Sequence, residues 1–172
     1  MSPASAPGGG GAIKHAFAPI APPNARILIL GTLPGEASLA AAQYYAHPQN
    51  AFWRLLGDLT GRPFATLAYA DRLTALAEAR VALWDTIASA RRPGSLDGAI
   101  RDHAPADLAA LVQRLPDLRA VGFNGKLSDR LGRAALGTTR LALIALPSSS
   151  PAHTLAYAEK REVWRALAAF LD

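Results

Sequence analysis

The sequence predicts an α/β domain, a three-layer α/β/α sandwich around a central sheet of four parallel strands. Three observations carry that expectation: four short apolar runs of strand length, helical apolar spacing between them, and runs that end in Gly, Pro and hydrogen-bonding residues. Residues 1–11 are Ser, Pro, Ala and Gly after Met1, with neither a basic start nor an apolar centre, and read as a flexible tail rather than a signal peptide. A single domain is expected over 12–172.

The first strand, 26–30, is a buried apolar run that stops at Gly31-Thr32-Leu33-Pro34-Gly35. Helical spacing follows over 51–59, ended by Gly61 and Pro63, and again over 66–79. The second strand, 81–84, runs out in Trp84-Asp85-Thr86. A helix over 105–115 is entered with Pro and stopped before Pro116; the third strand, 118–123, leads to Asn124-Gly125-Lys126. A helix over 126–136 closes at Gly137, the fourth strand covers 141–146, and a last helix covers 157–171. Alternation of strand and helix requires parallel strands joined by right-handed crossovers, which puts helices on both faces and all four polar strand ends along one edge. Ligands of such sheets collect at that edge.

Composition narrows the chemistry. At 172 residues and 51% hydrophobic content the chain can bury a sizeable core. Its 18 Lys and Arg exceed 13 Asp and Glu, a formal charge of +5 that leans toward a polyanionic partner. Cysteine is absent, which excludes a disulfide framework, a thiol nucleophile and cysteine-ligated zinc or iron–sulfur centres. The histidines, His15, His47, His103 and His153, show no ligand spacing, so no metal and no cofactor are expected. No apolar run reaches membrane length, and a monomer in the cytoplasm is the expectation.

The residues that carry chemistry lie in two blocks. One is the Gly31–Gly35 turn followed by Tyr44-Tyr45-Ala46-His47-Pro48-Gln49-Asn50-Ala51-Phe52-Trp53; the other is Pro147-Ser148-Ser149-Ser150-Pro151-Ala152-His153. Three small hydroxyl residues between prolines suit a phosphate or a closely held backbone, and are also ordinary loop material.

These blocks, in this order, resemble the two signature motifs of the uracil-DNA glycosylase superfamily. Phe123-Asn124-Gly125-Lys126 is similar to the matching segment of mismatch-specific uracil/thymine glycosylases. The Tyr-Tyr-Ala-His-Pro block, Leu83-Trp84-Asp85 with Gly94-Ser95-Leu96-Asp97, and the stretch 146–153 resemble the hypoxanthine-DNA glycosylase branch. The resemblance, over residues 13–170, implies an enzyme of base-excision repair. It would flip a deaminated base, uracil or hypoxanthine, out of DNA and hydrolyse the N-glycosidic bond without a metal, leaving an abasic site.

Residue by residue, the resemblance places Gly31, Thr32 and Leu33 in the base pocket with Tyr45 as the stacking ring, unless Tyr44 or Tyr45 is core. Asp85 would accept an imide or lactam N–H, or else cap a helix following Thr86. Many relatives hold water with a polar group at the position of Leu33, which an aliphatic side chain cannot do; the duty then falls on Asn50, whose alternative is to cap the helix over 51–59. His153 enters as a catalytic candidate, although Leu146 stands where relatives open the second motif with His, and contact with the DNA backbone suits His153 better. His47 contacts substrate or bonds its own loop. Asn124, Lys126, Ser148, Ser149 and Ser150 are expected at the DNA backbone. Two other classes stay open: a serine hydrolase using Ser148–Ser150 with His153 and Asp85 or Asp97, disfavoured by the lack of a Gly-x-Ser-x-Gly elbow, and a DNA-binding domain without chemistry.

Overall fold

The computed structural model describes residues 12–172; the tail expected over 1–11 lies outside them. In chain order the strands are β1 (Ile13–His15), β2 (Ile27–Gly31), β3 (Val81–Asp85), β4 (Ile87–Arg91), β5 (Arg101–Pro105), β6 (Ala120–Asn124) and β7 (Ala142–Leu146). The helices are α1 (Glu36–Ala41), α2 (Phe52–Thr60), α3 (Tyr69–Ala79), α4 (Leu108–Gln113), α5 (Lys126–Leu136) and α6 (Tyr157–Trp164). Strands β3, β2, β6 and β7 form, in that order, the parallel sheet of four, as expected.

The sheet is buried because its strands are apolar on both faces. Ile27 and Ile29 of β2 pack with Val81 and Leu83 against Phe52, Leu55 and Leu56 of α2 and Trp164 of α6. Their neighbours Leu28 and Leu30 point the other way, onto Leu108 and Leu111 of α4. Helix α5 approaches so closely that a Cβ at Gly132 would overlap the Phe123 ring, and Ser128 donates to the Leu30 carbonyl at 2.6 Å. The order β3-β2-β6-β7 reverses direction at β2, so a crevice opens between the ends of β2 and β6.

A second sheet, antiparallel and ordered β1-β4-β5, was not visible in the sequence. After β3 the chain bends at Thr86, whose N–H donates to the Gly31 carbonyl, and continues straight into β4. No helix follows Thr86, which removes the capping role weighed for Asp85. Pro105 closes β5 instead of opening a helix; α4 starts at Leu108, where Asp107 accepts from the Ala110 N–H at 3.1 Å. The helix expected over 66–79 begins only at Tyr69, after a 3-10 turn, and the one expected over 157–171 changes to 3-10 geometry after Trp164. Between β2 and α2 the chain also forms the short α1.

Candidate active site

The ends of β2, β3 and β6 and the loop after β7 converge on one cleft of about 490 Å³. Gly31 is its floor. A Cβ there would lie 2.7 Å from Asp85 Oδ1 and 3.0 Å from Tyr45 Oη, so only glycine lets carboxyl and phenol meet over the strand end.

Asp85 is 4% exposed, and its Oδ2 is buried with no hydrogen-bond partner among the described residues. Burial pushes the carboxyl up to about 7, the nearby Asp97 pushes the same way, and the Arg92 guanidinium pulls against both. Tyr45 takes a backbone φ of +51°, a left-handed conformation costly for a bulky residue. Its ring stacks on Phe52 at 3.8 Å, which leaves the opposite face for a ligand. Burial, and then the charge of Asp85, raise the Tyr45 hydroxyl so that it stays protonated. Tyr44, by contrast, is core: it is 4% exposed and donates to the Ala18 carbonyl.

Asn50 lies one residue before the Ala51 cap of α2 and still bonds the helix mouth. Its Oδ1 accepts the Phe52 N–H at 3.0 Å at the mouth of α2, while the amide lines the cleft and its Nδ2 has no partner among the described residues. Asn124 and Ser149, expected at the DNA backbone, are buried and bonded to each other. Asn124 Oδ1 accepts from Ser149 N at 2.8 Å and Nδ2 donates to Ser149 Oγ at 2.9 Å; the Ser149 carbonyl then accepts from Ala51 N. That arrangement locks the second motif to the first. Ser148 and Ser150 line the cleft, their hydroxyls accepting from backbone N–H groups of their own loop. No imidazole is bonded to these hydroxyls among the described residues, which leaves the hydrolase reading without a general base.

Leu33 turns inward onto Ile87 and Ala90 of the antiparallel sheet, so the aliphatic residue in the first motif is part of the packing there. Thr32 donates to Asp97 Oδ1 at 2.7 Å. His153 is exposed at the rim of the cleft, and His47 Nδ1 accepts the Gln49 N–H. Lys126 is exposed at the start of α5, outside the cleft lining.

A model of the uracil DNA glycosylase superfamily matches residues 18–170. The chain belongs to that superfamily. It is 37% identical over 154 residues to a hypoxanthine DNA glycosylase of Methanosarcina barkeri, covering 88% of this chain and 95% of the relative. A hypoxanthine DNA glycosylase of Methanosarcina acetivorans is 35% identical over 155 residues, 90% of this chain and 98% of that one. A solution NMR structure from M. acetivorans, provisionally described as a uracil DNA glycosylase, superposes with a TM-score of 0.82 at 34% identity, over 93% of this chain and 99% of its own.

Two residues of this superfamily member escaped sequence reasoning. Arg92 is 1% exposed and donates to the carbonyls of Leu33, Pro34 and Gly94, riveting the first motif to the loop that carries Asp97. Lys160 is 4% exposed and donates to the carbonyls of Ser150 and His153, holding the second motif; burial lowers its ammonium. A cation whose partners are all carbonyls leaves no charge pattern in the sequence, and a solvated side chain is the default expectation for both.

Proposed function

We propose that the protein is a DNA glycosylase that excises hypoxanthine, and secondarily uracil, from DNA by hydrolysis of the N-glycosidic bond. The observation that carries it is the Asp85 carboxyl, which lines a cleft walled by Tyr45, Asn50 and the first motif and has one oxygen, Oδ2, buried without a hydrogen-bond partner among the described residues. Deamination turns the ring nitrogen of adenine or cytosine from an acceptor into an N–H donor. A buried carboxylate is satisfied by that N–H and repelled by the lone pair of the parent base, so the same atom rewards the lesion and penalises the normal base. The names of the two Methanosarcina relatives favour hypoxanthine as the principal substrate.

In this reading the flipped base stacks on the free face of Tyr45 and Asp85 accepts its N–H. The bond from C1′ to the base nitrogen breaks with its electron pair passing to the base. Asn50 holds a water that adds to C1′, and the proton of that water ends on the departed base. The cleft lining contains the carboxyls of Glu36, Asp85 and Asp97, of which Glu36 is paired with Lys14 and Asp85 and Asp97 lie in the field of Arg92, so carboxylates close to the sugar can offset its developing positive charge. With Lys126 and Lys14 outside the cleft lining, Lys14 Nζ bonded to Glu36 and the Gly94 carbonyl, and Lys160 Nζ bound to two carbonyls, no lysine among the described residues is placed to form a Schiff base.

The test is a set of duplexes carrying hypoxanthine, uracil, xanthine or thymine, with adenine and cytosine controls. Free hypoxanthine should be released fastest, the strand staying intact until alkali is added and no complex being trapped by borohydride. Tight lesion binding with no free base would establish a binding domain without chemistry.

A further inference from the structure

A second cavity, of about 500 Å³, lies against the segment that walls the cleft; Tyr45, His47 and Asn50 line both. The two differ in charge. The cleft is lined by three carboxylates and no Lys or Arg, whereas the second cavity is lined by Arg54, Arg72 and His47 and no Asp or Glu.

Its charged groups are donors, and among the described residues no Asp or Glu lines it. Arg72 lies over the Trp53 ring and donates Nε and one Nη2 hydrogen to the carbonyls of Phe64 and Ala65, at 2.8 and 3.0 Å. A guanidinium carries five N–H groups, so three remain. Arg54 places its guanidinium carbon 3.6 Å from the centre of the Tyr157 ring, and its N–H groups have no hydrogen-bond partner among the described residues. Neither is among the ion pairs of the described residues. His47 accepts a backbone N–H on Nδ1, which places the proton of the neutral ring on Nε2 as a further donor. Burial lowers the Arg72 guanidinium, with Tyr69 acting weakly against it, as for a cation partly stripped of water.

We propose that this second cavity is a binding site for a phosphate group, filled by a backbone phosphate of the DNA strand whose flipped nucleotide occupies the neighbouring cleft, as follows from the glycosylase reading. Three donor groups around one space match the several acceptor oxygens of a phosphate, and guanidinium edges match it in pairs. The site also reaches the chemistry, because the Asn50 N–H donates to the His47 carbonyl at 3.0 Å. A phosphate that orders His47 therefore orders the segment that presents Asn50, and binding energy from outside the reacting base is used to position the water.

The experiment measures affinity and base release separately on hypoxanthine duplexes, each with one phosphate flanking the lesion replaced by a neutral methylphosphonate. Arg54→Gln and Arg72→Gln should each weaken binding roughly tenfold and flatten the salt dependence by about one phosphate contact. One methylphosphonate should weaken the wild type and leave the variants unchanged, the coupling that marks a shared contact. Inorganic phosphate, titrated at constant ionic strength, distinguishes the other source: inhibition of wild-type binding without methylphosphonate coupling assigns the site to the free ion and overturns the strand assignment. Equal losses in variant and wild type with no effect of phosphate overturn the site altogether. Arg72 also anchors the turn at Phe64, so Arg72→Lys and the exposed Arg54→Gln keep the test sound if Arg72→Gln fails to fold. A duplex that binds but releases no base would refute the glycosylase reading while leaving the affinity comparison intact.

Discussion

Asp85 and Asn124 end neighbouring regions of one sheet, on either side of Gly31, and the fold treats them in opposite ways. Both are buried. Asn124 directs its carbonyl and amide to Ser149, with the Tyr45 hydroxyl at 3.4 Å, whereas Asp85 Oδ2 has no hydrogen-bond partner among the described residues. A buried polar atom left unpaired costs on the order of 1–3 kcal/mol, a penalty that folding alone gives no reason to keep. The saturated side chain is architecture, holding the two motifs in register. On the proposed function, the unsaturated one is held for a base that enters from outside.

Asn50 combines both conditions in one side chain, and its removal sharpens the comparison most. Asn50→Ala loses a bond to the Phe52 N–H, worth about 1 kcal/mol of stability as a helix cap, and also the amide that faces the cleft. If that amide positions water, single-turnover excision should fall by roughly one to three orders of magnitude with duplex affinity little changed. A loss confined to stability would return Asn50 wholly to architecture.

The reciprocal pair comes next. Asp85→Ala should lower excision of hypoxanthine by the equivalent of about 1–3 kcal/mol while the melting temperature holds or rises, because a costly buried group is gone. Asn124→Ala should do the reverse to stability, leaving the Ser149 N–H and hydroxyl unpaired at a cost of about 2 kcal/mol. Denaturation curves set beside single-turnover rates separate the two. If Asp85→Ala unfolded the protein as readily as Asn124→Ala, the contrast between reserved and structural groups would fail.

The same contrast explains what the sequence disclosed. Strands β2, β3, β6 and β7 were legible because apolar runs of strand length end in turn residues, and the first and second motifs were legible as strand-end loops. The antiparallel sheet was not. Ile87-Ala88-Ser89-Ala90-Arg91 is composed largely of helix-tolerant residues, and β5 is exposed along its whole length, so neither shows the alternation that marks a half-buried strand. Pro105 followed the rule for a helix start while Asp107 held the cap, two positions apart. Residue type singled out Asn50 and Asp85, which the fold places in the cleft lining, but not which of their atoms would be occupied. Arg92 and Lys160 were invisible because carbonyls, which every residue has, are their only hydrogen-bonded partners among the described residues.

The smallest effect per step is the one that tests whether Asp85 is ionised when it reads a base. Its carboxyl sits at about 7 in the folded chain against 3.8 as the ordinary value, raised by burial and by Asp97 and opposed by Arg92, with the Tyr44 and Tyr45 phenols alongside remaining neutral. Between those two values the folded state binds the proton more tightly than the unfolded state. Stability from this group is therefore fully present below about pH 4 and is lost as pH rises through about 7, at no more than about 1.4 kcal/mol per pH unit. Excision should move the other way, rising through the same window, since the carboxylate accepts the lactam N–H. Asp85→Asn keeps an acceptor without a titrating proton, so it should flatten both profiles and gain stability over the wild type only above about pH 5. Urea unfolding and single-turnover excision at pH 5, 6, 7 and 8 for the two proteins would show it; parallel stability curves would mean that Asp85 is ionised throughout and that its burial is not what sets its affinity for the proton.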